Sequence, residues 1–237
     1  MYDADTKCGV LTDFDLSILQ WEPRIIGTDR TGTVPFMAID LLTEDYWRGF
    51  TKRYYRHELE AFIWILPFTF LLYQGGMRLS NQYVDPWRTS DYNVCSEKKS
   101  HFLQQTGLFK TAGTTVQNDF KEFWDLVHGL SRVLVTATKA RGDRDYEAIM
   151  QPIDSRTGTA ATNAAEDCKE FWDLFISALD KYIIRIAVQH RSEFSALVTR
   201  LKTHEPDFTE LTKEQAALLK VKYALFLRDP QAASSEQ

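Results

Sequence analysis

The chain has 237 residues, a formal net charge of −5, and 44% hydrophobic and 13% aromatic residues. That apolar content excludes wholesale disorder, and the mild acidity argues against a dedicated nucleic-acid binder, which shows a basic face. The length fits one domain, or one domain with an addition.

Cys8, Cys95 and Cys168 are odd in number and widely spaced, and no C-x-x-C pair occurs. Those cysteines point to a reducing compartment rather than to a disulfide framework or a zinc site. The opening MYDADTKCGV lacks the basic-then-apolar layout of a signal peptide. The expectation is an intracellular protein, cytoplasmic or nuclear.

In chain order, residues 8–16 (CGVLTDFDL) mix β-formers with turn residues and read as a short strand entering a turn. Residues 17–35 carry Pro23, Gly27, Gly32 and Pro35 and read as a long loop, a length that is usually functional or disordered. Residues 36–42 (FMAIDLL) predict a short helix. The organising element comes next. From Ala61 to Leu72 only Thr69 is polar, and a helix apolar on every side is expected to be buried on every side. The run is shorter than the ~20 residues a bilayer requires, so it predicts a central core helix over 57–73 and no membrane span. Glu58 and Glu60 suit its N-terminus, and Pro67 costs it one backbone hydrogen bond and predicts a kink.

Residues 74–94 read as a connection carrying Trp87, and residues 96–106 as a short helix stopped by Gly107. Lys98 and Lys99 read as a solvated pair. Over 118–135, Phe120, Phe123, Trp124, Val127, Leu130 and Leu134 fall on one face, which predicts an amphipathic helix. A short helix over 145–150 follows, then a small-residue linker over 151–165. Helices are expected over 166–189, with Phe171, Trp172, Phe175 and Tyr182 on one face, and over 193–202. A capping box at Thr212 and Gln215 predicts a last helix to about residue 227, with a disordered tail over 229–237. The hexapeptide KEFWDL occurs at 121–126 and again at 169–174. Two copies do not make a solenoid, and duplication of one helical pair accounts for the identity. RTGT also recurs, at 30–33 and 156–159, a match short enough to be chance.

Three segments line up: GVLTDFDLS (9–17), RTGTVPFMAIDLL (30–42) and YRHELEAFIWIL (55–66). Their order and spacing resemble the C-lobe of eukaryotic protein kinases, most closely the fungal-type protein kinase family with its DFD variant. PWRTSDYNVCSEKKSHFL (86–103) is similar to the stretch that follows the central helix in such enzymes. The resemblance covers roughly residues 8–150. It implies a mainly α fold: a kinase-like C-lobe with a short β-hairpin remnant over 1–150, an activation segment over 13–40, the linker, and an appended helical pair that looks duplicated within 166–228.

The resemblance also implies roles. Asp13 would hold Mg²⁺ against the phosphates of ATP, since Mg²⁺ prefers oxygen ligands. From the residues alone Asp13 reads equally as a turn former. Phe14 would pack beneath that site, or serve as an ordinary core residue. Asp15 replaces the usual Gly and would hinder a flip of the motif, because Asp enters left-handed geometry less freely. Thr33 matches the threonine that shapes the substrate site, and Thr28 and Thr31 are candidate phosphosites or plain loop residues. Asp40 stands where the family has Glu and is implied to pair with a C-lobe arginine through a shorter side chain. Glu58 replaces an Asp and shifts its carboxylate by one methylene.

The sequence contains no Gly-rich loop, no lysine on an early strand and no H-R-D-x-x-x-x-N loop, and twelve residues precede Asp13. Phosphoryl transfer depends on those groups acting together. The expectation is a truncated kinase C-lobe with no catalytic residue of its own and no ATP or Mg²⁺ held by this chain alone. The alternative is a non-catalytic, pseudokinase-like helical module that binds a protein partner. Either way the partner is a protein, with no nucleic acid and no membrane. His57-Glu58 begins like H-E-x-x-H, but Ala61 occupies the second histidine position. His101, His128, His190 and His204 show no ligand spacing, and no G-x-S-x-G occurs.

Overall fold

The computed structural model describes residues 2–3, 8–9, 32–150, 159–185, 188–203 and 205. The chain divides into two compact units, one of Gly32–Phe208 and one of Met1–Thr31 with Thr209–Gln237. In the latter, β1 (Tyr2–Asp3) pairs antiparallel with β2 (Cys8–Gly9), Tyr2 opposite Gly9. The DFD motif, the helix expected over 212–227 and the tail lie outside the described residues.

The Gly32–Phe208 unit is mainly helical. Two 3-10 turns, Val34–Phe36 and Ile39–Leu42, replace the short helix expected over 36–42. Pro35 explains the first: it sets φ for the turn and cannot donate to a longer ladder. Helix α1 (Glu44–Trp47) is one turn long, and α2 (Tyr55–Leu72) is the central helix, running on through Pro67. Strands β3 (Tyr73–Gln74) and β4 (Met77–Arg78) form a hairpin across Gly75 and Gly76, both at positive φ.

Helix α3 spans Tyr92–Gln104, capped by Asp91, whose Oδ1 accepts from the backbone N–H groups of Asn93 and Val94. Helix α4 (Thr106–Thr114) was not legible in the sequence; Gly107 lies inside it rather than ending its predecessor. Its two glycines lower intrinsic propensity, and Phe109 and Ala112, both buried, hold it by packing. Helix α5 runs unbroken over Trp124–Met150, absorbing the short helix expected over 145–150. Helix α6 (Thr159–Ile183) begins inside the expected linker, and α7 (Val188–Thr203) follows.

One aromatic string threads the core. Trp64 meets Trp87 edge-on at 5.2 Å, Trp87 meets Phe102 at 5.3 Å, Phe102 meets Phe109 at 4.7 Å and Phe109 meets Trp124 at 5.5 Å. It links α2, α3, α4 and α5. Phe70 stacks on Phe120 at 4.7 Å from the other side of α2. Phe171, Trp172, Phe175 and Leu179 of α6 join the same cluster. Helix α6 packs on both α2 and α5, so the described helices on either side of 151–158 share this cluster.

Helix α2 departs from the expected all-round burial. Phe62 is 60% exposed and Ile65 38%. These positions, three apart, form one stripe, while Leu59, Ile63, Phe70 and Leu71 point into the core.

The hexapeptide repeat is identical in sequence and different in structure. Copy one straddles the 3-10 turn Asn118–Phe123 and the start of α5; copy two lies wholly within α6. Copy one continues as a single helix, whereas the chain after copy two breaks between α6 and α7. Tyr146 is exposed, but its counterpart Phe194 packs edge-on against Tyr182 at 5.4 Å. Tertiary contacts overrode equal local propensity.

Gly113 in α4 makes room for Trp124. A Cβ there would sit 2.7 Å from the indole Nε1 and 3.0 Å from Cδ1. Gly113→Ala should destabilise the unit by about 1 kcal/mol, the displaced indole outweighing the helix-propensity gain. A urea midpoint that rises instead would contradict this packing.

Candidate functional site

The site is the segment 32–42, the start of α2, and what holds them together. Gly32 has φ +142°, a conformation L side chains rarely adopt, and a Cβ there would meet Met37 Cγ at 3.2 Å. The Gly of RTGT is thus a backbone requirement. Thr33 caps the first 3-10 turn with extended geometry, and its carbonyl accepts from Phe36 N–H at 2.8 Å.

Two buried side chains grip the next residues. Lys99 is wholly buried, and its Nζ donates to the Met37 carbonyl at 2.6 Å. It lies over the rings of Trp64 at 4.8 Å and Trp87 at 6.0 Å. Burial lowers its pKa to about 8, against the pull of Cys95 and Glu60. The reading of Lys98 and Lys99 as a solvated pair holds for Lys98 alone. Position 99 shares the inward face of α3 with Cys95 and Phe102, and the two indoles and a carbonyl compensate the buried charge.

Glu60 is likewise buried. Its Oε1 accepts from Ile39 N–H at 2.8 Å and from Trp64 Nε1–H at 3.0 Å. Burial, with the nearby Asp40 charge, raises its pKa. Its role is to receive the N–H of the second 3-10 turn rather than to complement the helix dipole.

Asp40 is the centre of a charge network. Its Oδ2 lies 2.8 Å from Arg56 Nη2, 3.6 Å from His57 Nε2 and 3.8 Å from Arg141 Nη2. Arg56 also reaches across to α6, where its Nε lies 2.6 Å from Asp167 Oδ2; this is a charge contact, not an aligned hydrogen bond. Arg144 donates to Asp167 Oδ1 at 2.9 Å and to Glu170 Oε2 at 2.6 Å. Arg56, Arg141 and Arg144 thus face Asp40, Asp167 and Glu170 in equal number, which makes the burial of Arg56 and Asp167 tolerable. Burial alone would push the Asp40 carboxyl up, but His57, Arg56 and Arg141 overcome it and hold it well below the usual carboxylate range. Burial wins at Asp167, pushing its carboxyl up despite three guanidinium neighbours.

His57 links this network to the helix start. Tyr54 N–H donates to His57 Nδ1 at 3.0 Å, so the ring proton sits on Nε2, toward Asp40. Burial lowers its pKa from 6.5 to about 4. Between those values the unfolded chain binds more protons than the folded one, so stability rises with pH through the window and falls on acidification. The loss from pH 6.5 down to 4 should be roughly 3 kcal/mol. Chemical denaturation across that range should lose His57's upward contribution in His57→Gln, leaving the opposing one from Glu60 and Asp167, whose raised pKa values favour the folded state at low pH. Equal slopes would mean that His57 titrates normally.

Of the residues named from the sequence, Thr33, Asp40 and Glu58 are described. Asp40 is brought against Arg56 and His57, joining the second and third motifs. Glu58 is not: it is half-exposed and accepts from Arg53 Nε at 2.7 Å. Asp13, Phe14, Asp15, Thr28 and Thr31 lie outside the described residues. Sequence reasoning missed Arg56, Glu60, Lys99 and Asp167. The signal available was Arg56, Glu60 and Trp64 at a four-residue spacing on one face of a buried helix. Among the described residues no group of three or more His, Cys, Asp or Glu could hold a metal ion, and no helix is long and apolar enough to cross a membrane.

Residues 2–70 match the family model described as Fungal protein kinase, a stretch under a third of the chain. That stretch contains all three motifs and stops before 86–103. No curated protein and no solved structure matches the chain.

Proposed function

From a chain whose residues 2–70 resemble fungal protein kinases, we propose that it is a C-lobe portion of a Ser/Thr-type protein kinase whose described part anchors the end of the activation segment. The family reaction is ATP-dependent phosphoryl transfer to protein. The observation that carries the reading is the Asp40–Arg56 pair, which ties the residue standing for the family's Glu to the first turn of the central helix. With Lys99 holding Met37 and Glu60 holding Ile39, three charged side chains fix residues 37–40. A segment so fixed gives Thr33, four residues earlier, a rigid base from which to shape a protein substrate's approach.

This polypeptide by itself does not carry the transfer. The reaction needs a phosphate cradle, a lysine, two metal-binding side chains and a base, and the family pattern supplies only Asp13 here. Calorimetric titration of the purified chain with ATP and Mg²⁺ should show no saturable binding. Saturable, Mg²⁺-dependent binding that Asp13→Asn abolishes would overturn the inactivity and assign Asp13 its metal.

A second reading, a non-catalytic scaffold that engages a protein partner, is favoured by the open groove between α5 and α6.

A further inference from the structure

Helices α5 and α6 enclose a groove of about 350 Å³ on the surface of the Gly32–Phe208 unit. Each helix contributes a stripe at three- and four-residue spacing, 125–136 from α5 and 174–185 from α6 and the turn beyond it. The floor is apolar, with Val133, Leu174 and Ala178. Three cations stand around it, Arg132, Lys181 and Arg185, against one carboxylate, Asp125. Asp125 is taken by Arg185 at 3.8 Å. Among the described residues Arg132 and Lys181 make no ion pair, so the groove carries two uncompensated positive charges on a chain whose net charge is −5. The hydroxyl-bearing Thr136 and Ser177 line the same walls.

We propose that this groove binds a phosphorylated side chain of a partner peptide. A phosphomonoester carries about −1.5 to −2 charge at neutral pH and three acceptor oxygens. Two cations balance that charge, and together with two hydroxyl-bearing side chains they provide donors for all three oxygens. The apolar floor matches the hydrophobic flank of a peptide rather than a bare ion, and the volume lies at the low end of the ~300–1,000 Å³ typical of ligand pockets. Arg132 supplies a planar fork for two phosphate oxygens, and Lys181 a point charge from the opposite helix. The inference does not depend on the kinase reading, since no residue of segment 32–42 or of α2 lines the groove.

The test is fluorescence polarisation with a labelled peptide carrying one phosphoserine between leucines, beside its unphosphorylated twin. The phosphorylated form should bind saturably and at least about tenfold tighter, a difference of ~1.4 kcal/mol. Arg132→Glu and Lys181→Glu should each weaken it by about tenfold or more. Both side chains are exposed, so the thermal midpoint should not move. Asp125→Asn, which releases Arg185, should tighten binding several-fold. Equal affinity for the two peptides, indifference to both charge reversals, or no saturable binding would overturn the proposal. Full competition by inorganic phosphate at the peptide's own concentration would overturn the peptide as occupant. A failed nucleotide titration leaves these outcomes unaffected, so the two readings fail separately.

Discussion

Replacing Arg56 by alanine should cost the Gly32–Phe208 unit about 3 kcal/mol, the low end for breaking a buried ion pair, because both carboxylates keep a second cation. Arg56 is 5% exposed and serves two carboxylates at once, Asp40 in the turn Ile39–Leu42 and Asp167 on α6. Its removal leaves Asp40 with only the distant Arg141 and His57, and Asp167 with Arg144 and Arg141. Arg56→Lys should recover only part of the loss, because one ammonium cannot span both carboxylates as a fork does. Adding Asp40→Asn to Arg56→Ala should cost less than the sum of the single changes, since the second removes the charge the first stranded. Urea denaturation of the four proteins measures this directly. Additivity would mean that the pair is not coupled and that the segment is held by other contacts.

The second large effect is expected from Trp172→Ala, again about 3–5 kcal/mol for a large buried side chain. Trp172 is 3% exposed, packing against Tyr55 at 6.2 Å and stacking on Phe175 at 6.5 Å. Tyr55 is the first residue of α2, so a change in α6 acts on the central helix. The variant should unfold in one transition, with the fluorescence of buried Trp64 and Trp87 and the helical circular dichroism losing signal together. If the tryptophan signal of the α2–α3 core kept its wild-type midpoint while helix content fell early, α6 would be a separate module. Truncation after Met150 follows the same logic and should leave a chain with an open core rather than a folded first half.

Much of the candidate site was legible in three short motifs. Residues 17–35 read only as a long loop, and the constraint at Gly32, whose φ of +142° glycine adopts most freely, came from the structure. The Asp of the M-A-I-D run lies 2.8 Å from Arg56, a contact that the resemblance implied without naming the arginine. The charged residues that do the anchoring were not legible. Lys99 sits beside Lys98 in a polar stretch, and nothing local distinguishes the lysine buried between two indoles from the one in water. Glu60 looked like a helix-start acid until Ile39, 21 residues earlier, was placed against it. Burial of α2 was overestimated because hydrophobicity states what a helix can bury and not which neighbours arrive; Phe62 and Ile65 remain exposed.

By itself the amino-acid order determined the helical class, the central apolar helix, the periodic faces of α5 and α6, and the kinase-like motifs. These are local properties, set by spacing, propensity and the geometry of glycine and proline over a few residues. Tertiary structure alone decided that α6 completes the core of α2, that one hexapeptide takes two conformations, and that Arg56 joins Asp40 to Asp167. Those outcomes depend on groups far apart in the chain. A buried charge is tolerated or forbidden according to a partner that no local window contains.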